Sequence, residues 1–308
     1  MLNLKSSDIN ALNYYNSIKH KIKKIDSLGL IKEDVKNLIL SKPKDLIKLS
    51  SHLMPQIIPD FDFDEFLIYL KKKEKGRMKD IKYHSKILEI KDVFKYSQIV
   101  GNEYFLAKLL DQHTCVYCNR NYVKTIGDTQ NKVLRADYDH FFSQSKYPLL
   151  ALSFYNLIPV CSYCNSKKLD GHFQLDTHLH PYLMNADDKN FSFSFRKKNF
   201  IENNVKLNII TENAKSKIRI ENTFKDLCLK EIYNAYSDKE LRNLLDLRYK
   251  YSKNYLNILL NETFKELSIS KEEVYRMIFG IEIKEDDYHK RPFSKFKHDI
   301  IEELKKTF

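Results

Sequence analysis

Apolar residues in the first third of the chain recur at spacings of three and four, which is the period of an amphipathic helix. The first such series consists of Ile9, Leu12, Tyr15, Ile18, Ile22 and Ile25. Similar spacing continues through residues 35–49 and 61–70, and acidic residues at the start of the second stretch favour a helix N-terminus there. A last helix over residues 102–112 leads into Cys115. The pattern predicts a helical arm over residues 1–112.

The middle of the chain changes to short strand-like runs. Strands are predicted over residues 121–126, 132–138 and 157–160, followed by a short helix over residues 162–170 that Gly171 closes.

The first two of these strands form a predicted hairpin that ends on Asp139-His140, because Gly127, Asp128 and Asn131 supply turn residues between them. Neighbouring residues of a regular strand point to opposite faces. For Asp139 and His140 to act on one ligand, the strand has to end or bend at this dipeptide, and we expect that it does.

Strict alternation of apolar and polar residues returns after residue 190. It predicts three short antiparallel strands over residues 191–195, 205–209 and 218–220, with Asn203-Asn204 and Glu212-Asn213 at turns.

Helical spacing then resumes over residues 224–264 and again over residues 271–279. Ser268 or Ser270 is the predicted cap of the second of these helices, and Gly280 ends it. The fold class that these patterns predict is α+β.

Four of the five cysteines form two Cys-x-x-Cys pairs, Cys115 with Cys118 and Cys161 with Cys164. This spacing lets each pair bind one tetrahedral ion from a tight turn, which is typical of structural zinc. A disulfide framework is the competing interpretation, but the chain has no secretory signal and few cysteines for a stapled scaffold. We expect a structural Zn²⁺ bound by four thiolates. Cys228, within an apolar helical pattern, is expected to be a small core residue.

The order of residues in this region resembles the HNH endonucleases, also called His-Me finger or ββα-metal nucleases, in the subgroup with a structural zinc. The matching pattern is the first cysteine pair, Asp139-His140, Asn156, and the second cysteine pair followed by Asn165 and lysines. Asn165 stands in place of the family's final histidine, which is a common variant. The separation of nine residues between Asn156 and Asn165 is also that of the family. The resemblance covers residues 115–171.

This resemblance implies a zinc-clamped ββα-metal nuclease core inserted in a mainly helical body with a small antiparallel β extension. The predicted modules are the helical arm, the HNH core with its zinc site over residues 113–172, a β-rich extension over residues 173–222 and a C-terminal helical region over residues 223–308.

The residue types also fit phosphodiester hydrolysis, which needs an activated water and an ion that neutralises charge. His140 titrates near neutrality and is the candidate general base. Asp139 and the amide oxygen of Asn165 are hard ligands suited to Mg²⁺ or Mn²⁺. Asn156 is expected to brace the loop that orients His140, because its amide donates and accepts at once.

Several further residues keep two interpretations. Lys167 and Lys168 follow Asn165, and Lys168 shares its helix face and is the better candidate for a phosphate contact, although both could equally be solvated. A later group, His172, His178 and His180, is interpreted first as a loop packed on the core. His172 is also an alternative ion ligand to Asn165 if the helix is shorter than predicted.

The formal charge of +12 favours a polyanionic partner, although lysine is abundant throughout the chain. Residues 71–77 and 291–300 are basic candidates for this contact. The first could also be a solvated face, and the second a packed tail anchored by Phe293 and Phe296. The chain has no apolar run of eighteen residues and no signal-peptide core at its start, so we expect a cytoplasmic protein without membrane contact.

Together these features predict a metal-dependent HNH endonuclease that acts on DNA. The resemblance further implies a bacterial or phage setting, such as restriction or anti-phage defence, with an ATPase of the same system as a partner protein. The alternative is a non-catalytic, zinc-dependent module that binds nucleic acid or docks a partner. A third interpretation is a nuclease that stays inactive until a partner binds. The nuclease needs a second ion at Asp139 and Asn165, whereas the binding module does not.

Overall fold

The computed structural model describes residues 1–5, 7–74, 81–101, 103–169, 171–197, 203–250, 258, 262 and 269–306. Its helices in the first part of the chain are α1 (Asp8–Ile18), α2 (Lys32–Leu40), α3 (Pro43–Ile57), α4 (Phe63–Glu74), α5 (Ile81–Val93), α6 (Tyr96–Ile99) and α7 (Phe105–Leu110). The later described helices are α8 (Ser162–Lys168), α9 (Ala186–Lys189), α10 (Ala214–Asp226), α11 (Leu229–Asn234), α12 (Arg242–Lys250), α13 (Lys271–Phe279) and α14 (Ser294–Lys306).

The strands of the described residues form three antiparallel pairs of two strands each. They are β1 (Ile126–Gly127) with β2 (Lys132–Leu134), β3 (Asp137–His140) with β4 (Leu157–Val160), and β5 (Phe191–Lys197) with β6 (Asn203–Ile209). The predicted α+β class is confirmed at this level.

The chain folds into two compact units, each assembled from separate stretches of sequence. The N-terminal unit comprises Leu4–Asp111 and Thr125–Leu175, and the C-terminal unit comprises Met1–Asn3, Gln112–Lys124 and Asp176–Phe308. The four modules proposed from the sequence remain a prediction.

The N-terminal unit is built around the loop that joins β3 to β4. The hydroxyl of buried Tyr14 in α1 donates to the backbone oxygen of Leu152 at 3.0 Å, and its ring lies 5.6 Å from that of Phe154. The hydroxyl of Ser153 donates to the backbone oxygen of Leu38 in α2. The N-terminal helices therefore support this loop directly.

The core of the C-terminal unit is an aromatic cluster on the β5–β6 hairpin. The ring of Phe193 contacts Phe224 of α10, Tyr233 of α11 and Phe296 of α14, with centroids between 4.4 and 6.0 Å apart. Phe293 and Phe296 are both buried. This agrees with the interpretation of residues 291–300 as a packed tail.

The basic residues of that tail are held by acidic partners. Arg291 pairs with Glu282, Lys295 with Asp299, and Lys297 with Glu240.

Two strand predictions were wrong. Residues 218–220 lie inside α10, because Asn213 caps that helix by accepting from the Ser216 N–H and Ile220 falls on its buried face. Residues 121–126 form no strand before Ile126; Tyr122 makes only an isolated bridge to Thr114.

Smaller corrections concern turns. The predicted strand over residues 132–138 divides into β2 and β3, which pair with different partners. Helix α8 ends at Lys168, with Leu169 at φ +43°, before Gly171 is reached. Asn203-Asn204 belongs to β6 and is not a turn. Cys228 is half-buried with φ +50° at the start of α11.

The termini of α13 follow the sequence closely. Ser270 is its cap, in a reciprocal pair of hydrogen bonds with Glu273, and Gly280 ends it with φ +64°. Of the basic run over residues 71–77, Lys71 to Lys73 are exposed on α4, and residues 75–77 lie outside the described residues. No helix in the described part of the chain has the length and apolar character needed to cross a bilayer.

Candidate metal and catalytic site

The candidate site forms where two strands and a helix follow one another in the N-terminal unit. In the β3–β4 pair, Asp139 lies opposite Ile158 and His140 lies opposite Leu157. Strand β3 ends at His140, as expected. Strand β4 is apolar and buried throughout, and it leads through Cys161 into α8, which packs back on β3. The strand pair thus fixes the Asp139-His140 backbone beneath the end of α8.

His140 is oriented by a backbone carbonyl. Its Nε2 lies 2.9 Å from the backbone oxygen of Ala151. A carbonyl oxygen only accepts, so Nε2 carries the proton, and the nitrogen with a lone pair in the neutral ring is Nδ1. The ring of Tyr96 stands edge-on to the imidazole, with centroids 4.5 Å apart.

The protein packed around the imidazole lowers the pKa of His140, because burial disfavours the charged form. The hydrogen bond to Ala151 and the charge of Asp139 oppose this shift, and the charge of Lys168 adds to it. The ring is therefore neutral at pH 7, which is the form that can accept a proton from water.

Asn156 holds both ends of the loop that positions His140. Its buried Oδ1 accepts from the Phe142 N–H at 2.7 Å, and its Nδ2 donates to the backbone oxygens of Phe142 and Leu150, each at 3.1 Å. Phe142 follows His140 closely, and Leu150 precedes Ala151, the acceptor of the histidine. One amide therefore fixes the backbone on both sides of the imidazole.

Lys168, the last residue of α8, reaches back to both members of the dipeptide. Its ammonium donates to Asp139 Oδ1 at 3.0 Å and to the His140 backbone oxygen at 2.6 Å. The side chains of Lys168 and Asp139 are 0% and 3% exposed. The lysine predicted to contact phosphate thus lies buried against the candidate metal ligand.

The other lysine and the asparagine of α8 have different surroundings. Asn165 lies one turn before Lys168 on the same helix face and is partly buried, whereas Lys167 is exposed. Neither the Ala151 carbonyl nor the Tyr96 ring belongs to a recognisable motif, so sequence reasoning missed both of these contacts to His140.

The three later histidines fall in different units. His172 belongs to the N-terminal unit, where its ring lies 6.5 Å from that of Tyr147. His178 and His180 belong to the C-terminal unit and are buried. The Nε2 atom of His178 lies 3.0 Å from a carboxylate oxygen of Asp226, and burial lowers the pKa of His180 to about 3. The latter two are thus packed residues.

Cys115, Cys118, Cys161 and Cys164 form a buried cluster whose sulfur atoms all lie within 4.8 Å of one another. None of the four is in a disulfide. Four sulfurs around one Zn²⁺ at about 2.3 Å would be about 3.8 Å apart, which falls within the spread of this cluster. The donor set and its burial are compatible with a structural zinc ion.

Each cysteine pair spans a tight turn. The Asn119 N–H donates to the Cys115 oxygen at 2.8 Å with Asn119 at φ +47°, and the Asn165 N–H donates to the Cys161 oxygen at 3.0 Å in the first turn of α8. The buried amide of Asn119 also donates to Thr114 Oγ1 at 2.8 Å and to the Tyr288 oxygen at 3.0 Å. The turn after Cys115 is therefore fixed by its own unit.

No family model, no curated protein and no solved structure matches this chain. What the protein does has to follow from the residues and contacts of these two sites.

Proposed function

We propose that the protein is a metal-dependent HNH-type endonuclease that hydrolyses phosphodiester bonds of DNA. The observation that carries the proposal is the setting of His140. Its Nε2 is engaged by Ala151, its Nδ1 is the basic nitrogen of a neutral ring, and Asn156 fixes the backbone on both sides. A purely structural zinc module has no need of a neutral histidine held in this way.

The proposed ligands of the catalytic ion fit a hard divalent cation. Asp139 supplies a carboxylate, and Asn165 supplies a neutral amide oxygen one turn before Lys168, a set that suits Mg²⁺ or Mn²⁺ with several waters retained. Lys168 already places one positive charge on Asp139. A divalent ion that shares this carboxylate brings an excess of positive charge, and the phosphate of a substrate can balance it.

In this proposal each residue has a defined task. His140 Nδ1 accepts the proton of the attacking water, and Nε2 keeps its bond to Ala151 throughout. Asn156 keeps the imidazole aligned through the transfer. A bound Mg²⁺ or Mn²⁺ would supply positive charge for the leaving 3′ oxygen, which yields 5′-phosphate and 3′-hydroxyl ends. Four thiolates would hold the structural Zn²⁺.

The family resemblance alone supports the proposed setting, which is bacterial restriction or anti-phage defence with an ATPase of the same system as partner. One observation favours the alternative function, a zinc-dependent binding module without catalysis. The Lys168–Asp139 ion pair already gives the buried carboxylate a cationic partner that is not a metal.

The test is cleavage of supercoiled plasmid by zinc-replete protein, with and without added Mg²⁺ or Mn²⁺. We expect cleavage that requires the added ion and falls at least 100-fold in His140→Ala, because general bases contribute about 10²- to 10⁴-fold. His52→Ala, an exposed histidine of α3 in the same unit, is the matched control and should cleave normally. Cleavage that persists in His140→Ala would exclude His140 as the general base. No cleavage by the zinc-replete wild type would exclude a nuclease that acts alone, and would leave the binding module and the nuclease that waits for a partner.

A further inference from the structure

A groove of about 450 Å³ on the N-terminal unit is lined mainly by basic and polar side chains. It contains four lysines, Lys21, Lys23, Lys24 and Lys95, and a single carboxylate, Asp92. We refer to this surface as the lysine groove.

The fold places these lysines along one path. Ile22 is buried after the one-turn helix Lys19–Lys21, and this anchor leaves Lys23 and Lys24 exposed on the segment that follows. The end of α5 contributes Asp92, and Lys95 lies directly before α6. Two separate parts of the chain thus supply the charges of the groove.

The existing ion pairs leave the groove with a net positive charge. Asp92 lies between Lys24, at 3.2 Å, and Lys95, at 2.8 Å, and the hydrogen bonds from these lysines lower the pKa of Asp92. Lys21 pairs with Glu103 at 2.8 Å. Lys23 has no ion pair with any residue that the structure describes. The two pairs of Asp92 are exposed and therefore weak, so a phosphate can replace them at little cost.

Helix α6 connects this groove to the candidate catalytic histidine. Gln98 and Ile99 of α6, with Lys95 just before it, line the groove, and Tyr96 of the same single-turn helix contacts the His140 ring at 4.5 Å. A strand that follows the groove therefore runs beside the element that packs on the general base.

We propose that the lysine groove binds the phosphodiester backbone of the DNA strand on its way to His140. The inference rests on the proposed function and names a binding surface for its substrate. Lysine ammonium groups bind phosphate as point charges, and the residues that line the groove include no arginine fork and no Phe, Tyr or Trp; the imidazole of His20 is the one ring among them. The groove thus provides affinity and register, independent of base sequence.

The test is binding of a fluorescent DNA duplex, measured by anisotropy across a salt series without added Mg²⁺ or Mn²⁺, so that no strand is cut. The groove variant is Lys23→Gln/Lys24→Gln. The matched control is Lys44→Gln/Lys48→Gln, two exposed lysines of α3 in the same unit that lie outside the groove. Zinc content and circular dichroism check that both variants fold.

The groove variant should lose two phosphate contacts. Each contact contributes about 0.9 to the slope of log Kd against log salt, so the slope should fall by about 2 and the Kd should rise about 30-fold at 0.15 M salt. The control should change the Kd less than about twofold and leave the slope unchanged. Lys23→Arg/Lys24→Arg, which keeps the charge, should bind as the wild type does.

Three results would overturn the proposal. The first is an unchanged Kd and slope for DNA in the groove variant, and the second is an equal loss of DNA affinity in the control. The third is binding of a labelled polyglutamate peptide that requires Lys23 and Lys24 when DNA binding does not require them. The cleavage assay separates this proposal from the nuclease. If the groove variant loses DNA affinity, the proposed binding surface is supported even when the wild type cleaves nothing. If the wild type cleaves DNA and the groove variant binds DNA as tightly as the wild type, the proposed binding surface fails and the nuclease proposal stands.

Discussion

The buried ion pair between Lys168 and Asp139 makes a quantitative prediction about stability. The perturbation is Lys168→Met, which keeps most of the apolar volume of the side chain and removes its charge. It removes the buried ammonium that donates to the Asp139 carboxylate and to the His140 backbone oxygen.

The expected magnitude follows from the burial of the pair. The two side chains are 0% and 3% exposed, so solvent screens neither charge. Removing one partner of such a pair destabilises a protein by about 3–5 kcal/mol, mainly because the other charge stays buried and uncompensated. Lys168→Met/Asp139→Asn removes both charges and should recover most of this loss, leaving about 1–2 kcal/mol for the unpaired carbonyl of His140.

The measurement is urea unfolding of the zinc-replete protein, together with hydrogen exchange at the amides of β3 and α8. Exchange is needed because a chain with two compact units is not bound to unfold in one step, and exchange reports the opening of these elements alone. Lys167→Met is the matched control, since Lys167 is exposed on the same helix and should change stability by about 0.5 kcal/mol or less. A Lys168→Met variant within about 1 kcal/mol of the wild type, or a double variant no more stable than the single, would refute the argument.

Three further predictions concern other buried groups. Metal analysis of the purified protein should find one Zn²⁺ per chain, and Cys161→Ser should lose it. A zinc content in Cys161→Ser equal to that of the wild type would exclude this site. Asn156→Asp places a carboxylate oxygen where the amide Nδ2 donates to two backbone carbonyls. Hydrogen exchange should show β3 destabilised by about 2–4 kcal/mol in this variant. Fast exchange of the same amides in the wild type would contradict the bracing role of Asn156. Because burial lowers the pKa of His180 from 6.5 to about 3, its stabilising effect is complete above pH 6.5 and is lost as the pH falls, by about 2 kcal/mol at pH 5. His180→Gln should flatten the free energy of unfolding against pH below pH 6.5, whereas His52→Gln should leave its slope as in the wild type. An unchanged slope in His180→Gln would refute the assignment of this pH dependence to His180.

Local rules in the sequence predicted the parts of the fold that local interactions decide. The cap and end of α13 at Ser270 and Gly280 depend on hydrogen bonds within one turn. The end of β3 at His140 was expected because neighbours on a regular strand point to opposite faces, whereas Asp139 and His140 were both assigned to one ligand.

Tertiary packing decided the features that the sequence did not show. Helix α1 buries Ala11, Tyr14 and Ile18, while Ile9 and Leu12 are 74% and 47% exposed, because the helix meets Phe154 through the tyrosine. The spacing gave the helix but not its buried face.

The site shows the same division between local and distant information. Asn156 binds Phe142 and Leu150, which lie near it in sequence, and its bracing geometry could be anticipated from its amide and its loop. The partner of Lys168 is Asp139, which spacing within α8 cannot reveal, because it depends on how the helix packs on the strand.

The position of Lys168 also constrains how the proposed nuclease would bind its ligands. Its ammonium already balances the charge of Asp139, so a divalent ion at this carboxylate adds positive charge that the protein groups named here do not offset. A phosphodiester supplies the missing negative charge and favours the ion in turn, so the two should bind more tightly together than either does alone. The non-catalytic alternative has no such coupling, because its ion pair is complete without a metal. Coupled binding of ion and DNA is therefore the property in which the two functions differ at this site.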